Sequence, residues 1–132
     1  MLYKDGLLDG TIDMIATDHA PHSAQEKGCG LEGSAMGVVG LETAFPVMYT
    51  EFVKTGALTL ERLVELMCVN PRERFGIPYE DDFTVFDLKK QYRIDPAEFL
   101  TMGRATPFEG REVLGRCVMT VCRGKTAYEE RI

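Results

Sequence analysis

The run Ile12-Asp13-Met14-Ile15-Ala16-Thr17-Asp18-His19-Ala20-Pro21-His22 constrains this chain most. From Ile12 to Thr17 the residues are apolar or β-branched, apart from Asp13, which predicts a buried strand. Alternate side chains on a strand share a face, so Ile12, Met14, Ala16 and Asp18 fall on one side and Asp13, Ile15 and Thr17 on the other. The first face is apolar until its last member, a carboxylate. An acid at the carboxyl end of a buried strand, beside a turn broken by Pro21, is where α/β folds build active sites. An Asp that merely starts a turn or caps a helix meets the same spacing. Both histidines of the chain, His19 and His22, crowd this turn, and that concentration favours chemistry.

Length sets the next bound. A chain of 132 residues buries one ordinary core. A complete eight-stranded α/β barrel needs about 250 residues, so the chain is too short for one. Apolar residues make up 45% and charged residues 27%, the balance of a soluble globular protein. Net charge is −6 and no basic patch forms, which argues against nucleic acid as a partner. No apolar run reaches membrane-spanning length and no signal-peptide pattern opens the chain. Cys29, Cys68, Cys117 and Cys122 form no Cys-x-x-Cys pair, and Cys117 and Cys122 fall on opposite faces of one expected strand. They read as reduced thiols of a cytoplasmic protein, small and apolar in character, rather than as disulfides or a cysteine zinc site.

The rest of the chain changes character after Pro78. Residues 1–10 place Leu2, Tyr3, Leu7 and Leu8 at helical spacing before a glycine stop. Residues 23–37, with Gly28, Gly30, Gly33 and Gly37, read as a long mobile loop over a pocket, with Glu26, Lys27 and Glu32 in solvent. Residues 38–53 read as a helix with a core stripe of Leu41, Phe45, Met48, Tyr49 and Phe52. Pro46 either lies in its first turn, with the start near Thr43, or kinks it. Thr59 caps a second helix that buries Leu60, Leu63, Val64 and Met67. Asn70 caps a third, short one, with Pro71 in its first position and Phe75-Gly76 at its end. Beyond Pro78 the pattern predicts strands over 83–88, 91–94, 113–122 and 126–128. A capping box sits at Asp95 to Glu98 and a turn at Thr106 to Gly110.

Two stretches carry a resemblance. Ala16-Thr17-Asp18-His19-Ala20-Pro21-His22, followed by Gly37-Val38-Val39-Gly40-Leu41-Glu42-Thr43-Ala44-Phe45-Pro46, closely resembles the C-terminal part of the longer bacterial dihydroorotases, members of the amidohydrolase superfamily. The first stretch recurs in other cyclic-amide hydrolases, and the second narrows the resemblance. It covers nearly the whole chain but only the last part of a complete family member. It implies an α/β fold: the last strand and helices of an incomplete (β/α)8 barrel over residues 1–78, then part of a small β-sandwich over residues 79–132. It also implies zinc-dependent, reversible hydrolysis of dihydroorotate to carbamoyl-aspartate in pyrimidine biosynthesis.

The resemblance assigns roles residue by residue. Asp18 matches the family's metal ligand and general acid–base. His22 matches a histidine that contacts the substrate. Met36 and Gly37 match a pair whose backbone touches the substrate ring, Met36 standing where an aromatic residue is usual. His19 falls on the other face and reads as a hydrogen-bonded turn histidine. Opening a cyclic amide needs an activated water, a polarised carbonyl and a proton for the leaving nitrogen. Zinc supplies the first two and a carboxylate carries the proton.

Catalytic zinc needs about three protein ligands. The family's His-x-His pair, its two further histidines and the carboxylated lysine of many relatives have no counterpart here. The isolated chain is therefore expected to be inactive. Two other readings stand beside this one. The chain is a non-catalytic interaction module, as some inactive relatives are scaffolds for aspartate transcarbamoylase. Alternatively it belongs to another cyclic amidase, such as a hydantoinase or allantoinase. The partners expected are a small-molecule substrate and, through an unpaired sheet edge and uncovered apolar surface, a second copy of the chain.

Overall fold

The computed structural model, which describes residues 2–130 and side chains from Asp5 onward, opens with helix α1 (Leu2–Asp9). Leu7 enters the core, as its spacing predicts, while Leu8 is half exposed. The side chains of Leu2 and Tyr3 lie outside the described residues. The chain then runs extended through residues 12–17, but pairs with no strand among the described residues. Its one ladder contact is a parallel bridge between His19 and Val38. The expected buried strand is therefore corrected to an extended run. It is held by the Ile15 N–H donating to the Leu66 carbonyl at 2.9 Å, and by Asn70 Nδ2 donating to the Asp13 carbonyl at 2.7 Å. Without a ladder, strict alternation is not enforced. Ile12 and Ile15 both pack on the core, and Ala16 and Asp18 are exposed.

Residues 23–37 are not the loop their glycines predict. They form α2 (Ala24–Lys27) and α3 (Gly30–Gly33). Ser23 and Glu26 make a reciprocal capping box. The Ser23 N–H donates to Glu26 at 2.8 Å, and the Ser23 hydroxyl accepts from the Glu26 N–H at 3.2 Å. Glu26 is exposed, as expected, and also closes this cap, whereas Lys27, expected in solvent, is half-buried.

Helix α4 (Ala44–Met48) widens into a π turn (Tyr49–Val53). It begins after Thr43, so Pro46 lies in the first turn, where its missing N–H costs no helical bond. Leu41 leaves the expected stripe at 63% exposed, and Val47 enters the core instead. Thr59 caps α5 (Leu60–Val64), its hydroxyl accepting from the Arg62 N–H at 3.1 Å. Leu63 and Leu66 of this region are fully buried, but Val64 is exposed. A second π turn (Glu65–Val69) leads directly into α6 (Asn70–Phe75). Asn70 is therefore not a cap, because Val69 before it is already helical. The wide turn makes room for the Pro71 ring, which would otherwise strike a carbonyl one turn back.

An antiparallel meander follows: β1 (Phe83–Arg93), β2 (Glu112–Cys122) and β3 (Lys125–Glu129), in that order. The two strands expected over 83–88 and 91–94 are one strand with an irregularity between Asp87 and Gln91. There the Asp87 carboxylate accepts from the Lys89 and Lys90 N–H groups. Asp95 caps the 3-10 turn Pro96–Glu98 through the Ala97 N–H, but the expected capping box is not closed. Glu98 reaches Arg116 at 2.9 Å instead. The outer edges of β1 and β3 are unpaired among the described residues.

Helix α4 joins two cores. Met48 and Phe52 pack against Leu7, Leu58 and Leu66, while Val47 meets Ile94 and Val113 on the sheet side. Phe45 stacks on Phe86 of β1, ring centroids 3.9 Å apart. All four cysteines are free, and Cys29, Cys68 and Cys122 are exposed, so Cys68 is not the core residue its helical position suggested. No helix among the described residues is long and apolar enough to cross a membrane.

Candidate functional site

Backbone geometry shapes the turn after the extended run. Asp18 takes a φ of +46°, a left-handed conformation that Asp tolerates better than most side chains. The residue is exposed, and its carboxylate makes no hydrogen bond among the described residues. His19 Nδ1 accepts from the Gly40 and Leu41 N–H groups, each at 3.2 Å. In the neutral ring this leaves the proton on Nε2. The Ala20 N–H adds a bond of 3.0 Å to the Val38 carbonyl. His19 is thus the hydrogen-bonded turn residue its position suggested, and it ties the turn to residues 38–41.

His22, Met36 and Gly37 come together. His22 Nε2 donates to the Met36 carbonyl at 2.9 Å, while Nδ1 stands 3.7 Å from Glu26 Oε1, an ion pair only for the protonated ring. Met36 is 91% exposed. Gly37 has a φ of +131°, and a Cβ added there would lie 2.5 Å from Ala20 Cβ. Only glycine lets the main chain pass so close. Asp18 shares the turn with this group but not its hydrogen bonds.

A third wall comes from residues 99–105, which sequence reasoning left without a role. The Glu42 carboxylate accepts from the Leu100 N–H at 2.9 Å and the Thr101 N–H at 3.0 Å. The Val39 N–H donates to the Ala105 carbonyl at 2.8 Å. This seats Gly103 against the turn, where a Cβ would lie 2.9 Å from Pro21 Cβ. Burial raises the Glu42 carboxyl, but the bonds from Thr101 and Leu100 and the charge of Arg104 outweigh it and hold the group below its ordinary value. The one local signal of this wall is Gly103, and nothing near it in sequence points to Pro21.

A cavity of about 600 Å³ lies on the other side of Glu42, between α4 and the sheet, lined by Phe45, Phe86, Tyr92, Phe99, Arg116 and Tyr128. Arg116 stacks 4.6 Å over the Tyr92 ring and pairs with Glu98 and Glu130. Burial pushes the Tyr92 hydroxyl up to about 12, against the opposing charge of Arg116. The cavity is mainly apolar and does not reach Asp18. Among the described residues no three His, Cys, Asp or Glu side chains gather as metal ligands. Asp18 offers one ligand, so the chain by itself does not fit a zinc ion.

No family model matches the chain. Solved structures give the class. The L-hydantoinase (dihydropyrimidinase) of Arthrobacter aurescens superposes with a TM-score of 0.85 at 34% identity, over 96% of this chain and 31% of that one. The D-hydantoinase (dihydropyrimidinase) of a Thermus species gives a TM-score of 0.87 at 26% identity, over 97% and 31%. In fold the chain is similar to one segment of these hydantoinases. Curated relatives narrow it further. The chain is 50% identical to the dihydroorotase of Halalkalibacterium halodurans over 134 residues, and 49% identical to that of Bacillus subtilis over 133. Each match covers 96% of this chain and 31% of the relative. The chain is thus similar to one segment of the dihydroorotases, and it spans 31% of the length of these relatives.

Proposed function

We propose that the chain supplies the acid–base carboxylate and part of the substrate wall of a dihydroorotase, which opens dihydroorotate to carbamoyl-aspartate and closes it again. The observation that carries this reading is Asp18, a free carboxylate held at a φ of +46° on a turn pinned by its neighbours. Backbone strain of this kind persists where chemistry needs the geometry. Asp18 takes a proton as water adds to the ring carbonyl, and returns it to the ring nitrogen as the carbon–nitrogen bond breaks. His22 and the Met36–Gly37 main chain border the substrate. The metal implied by the resemblance is zinc, with its ligands other than Asp18 outside the matched segment.

In this reading residues 1–78 are part of the barrel and residues 79–132 part of the β-sandwich. The reaction belongs to pyrimidine biosynthesis in the cytoplasm. The open edges of β1 and β3 support self-association. A test mixes the purified chain and zinc with the part of the H. halodurans enzyme that the chain does not match. Dihydroorotate hydrolysis is expected in the mixture, not from the chain alone, and is lost with Asp18→Asn. An assembled mixture that fails to turn over dihydroorotate overturns the reading. Turnover of hydantoin in its place favours the hydantoinase reading, which the 34% identity to the A. aurescens enzyme keeps in view.

A further inference from the structure

We infer that Lys27 is a positioning residue of the candidate site, holding the Ala35–Gly37 main chain in the shape that faces His22. Its geometry stands by itself, and its catalytic consequence rests on the dihydroorotase reading.

A lysine at the end of a short surface helix normally extends into water. Lys27 does not. Its half-buried ammonium donates to the Ala35 carbonyl at 2.9 Å and to the Gly37 carbonyl at 3.0 Å. The carbonyl between them, that of Met36, is taken by His22 Nε2 at 2.9 Å. Ammonium and imidazole therefore grip consecutive peptide groups of one short segment. Two further bonds fold the segment onto α2: Ser34 Oγ donates to the Lys27 carbonyl at 2.8 Å, and the Ala35 N–H to the Glu26 carbonyl at 3.0 Å.

The grip matters because little else holds the segment. Helix α2 has four residues and α3 four, neither with a buried side chain. Helices of this length do not persist without tertiary bonds. Met36 is almost fully exposed and anchors nothing. Gly37, free to adopt many conformations, is held at a φ of +131° against Ala20. Charge-assisted bonds from one ammonium to two carbonyls supply that restraint, and an apolar side chain cannot. Lys27 acts through Gly37 and His22 and transfers no proton itself. Its loss should weaken substrate binding more than it slows the proton transfer at Asp18.

The test has two arms. In the first, the 132-residue chain is studied by NMR as wild type, Lys27→Met and Lys27→Arg. Lys27→Met is expected to speed exchange of the Ala35 amide about tenfold, and to shift the His22 Nε2 resonance to that of a ring without its carbonyl partner. Lys27→Arg, which can still bond two carbonyls, restores both. Signals of Val113 and Tyr92 in the sheet serve as the fold control. If Lys27→Met loses them, Lys27→Gln is read in its place. Unchanged Ala35 exchange and His22 shift in a folded variant overturn the inference.

The second arm uses the reconstituted mixture. Lys27→Met should raise KM for dihydroorotate about tenfold with kcat little changed, well within the roughly hundredfold that a displacement of about 1 Å can cost, and Lys27→Arg should recover it. A fall in kcat at constant KM overturns the positioning role. A mixture with no wild-type activity counts against the dihydroorotase reading alone, because the first arm decides Lys27 independently.

Discussion

The Glu42 carboxylate accepts the Thr101 N–H at 3.0 Å and so fastens the start of α4 to a loop that comes late in the chain. Through that bond, and the parallel one from Leu100, residues 99–105 close over the Pro21–His22 turn. The candidate site therefore has walls from both the helical part of the chain and the part that carries the sheet.

Glu42→Gln should release this loop. The bonds involve a charged acceptor that is partly solvated, so the expected loss is about 1 kcal/mol. Hydrogen exchange at the Leu100 and Thr101 amides is the measurement. The same loosening should follow acidification. Burial opposes ionisation of Glu42, but its hydrogen bonds and Arg104 leave the folded value below the unfolded one. The contribution is thus complete above the ordinary carboxylate range near about pH 4.3 and disappears as pH falls through the lowered folded value. Glu42→Gln should remove that part of the pH dependence.

Gly37 and Gly56 separate strain from clash. Both have positive φ, +131° and +75°, but a Cβ at Gly56 meets nothing within 4 Å, whereas one at Gly37 overlaps Ala20. Gly56→Ala should cost about 1 kcal/mol from conformation alone. Gly37→Ala should cost about 3 kcal/mol, since overpacking adds to it. Urea denaturation midpoints of the two variants should rank in that order.

Asp18 should behave as a residue kept for chemistry at some expense of stability. Asp18→Gly relieves the left-handed backbone and should stabilise the chain by about 1 kcal/mol. In the reconstituted mixture it should abolish hydrolysis. A thermal melt beside the activity assay checks both halves, and a destabilised Asp18→Gly chain would contradict the strain argument.

Leu66 and Val64 test the helical core. Leu66 is fully buried against Leu7 and Leu58, whereas Val64 is 43% exposed. Leu66→Ala should cost about 3 kcal/mol, and Val64→Ala less than about 1 kcal/mol. Equal losses would mean that Val64 and not Leu66 alone packs in the core.

Tyr92 predicts behaviour at high pH. Burial raises its hydroxyl to about 12 in the folded chain, from 10.0. The unfolded chain thus loses this proton first, and stability should fall as pH rises between those values. Tyr92→Phe should flatten that decline, which denaturation followed across the alkaline range will show.

Much of this molecule was legible in order of residues alone. The Thr59 cap and the long strand β2 are local patterns, and each appears within a residue or so of its expected place, whereas the helix expected over 38–53 starts only at Ala44, the shorter of the two readings that Pro46 left open. The crowding of Asp18, His19 and His22 marked the turn because chemically capable side chains within one short run are visible without a fold. What periodicity cannot report is the partner. Residues 12–18 have the composition of a strand, yet a strand exists only where a neighbour supplies a ladder, and their bonds go to Leu66 and Asn70 instead. Lys27 looked like a solvated charge, and Glu42 drew no structural role, because their acceptor carbonyls and donor amides belong to backbone that sequence spacing does not locate. The sequence by itself determined α1, α5, the Thr59 cap, the strand β2 and the place where chemically capable side chains crowd. The tertiary structure alone decided which main-chain groups those charges hold, because a hydrogen bond depends on where two groups meet in space and not on either residue's type.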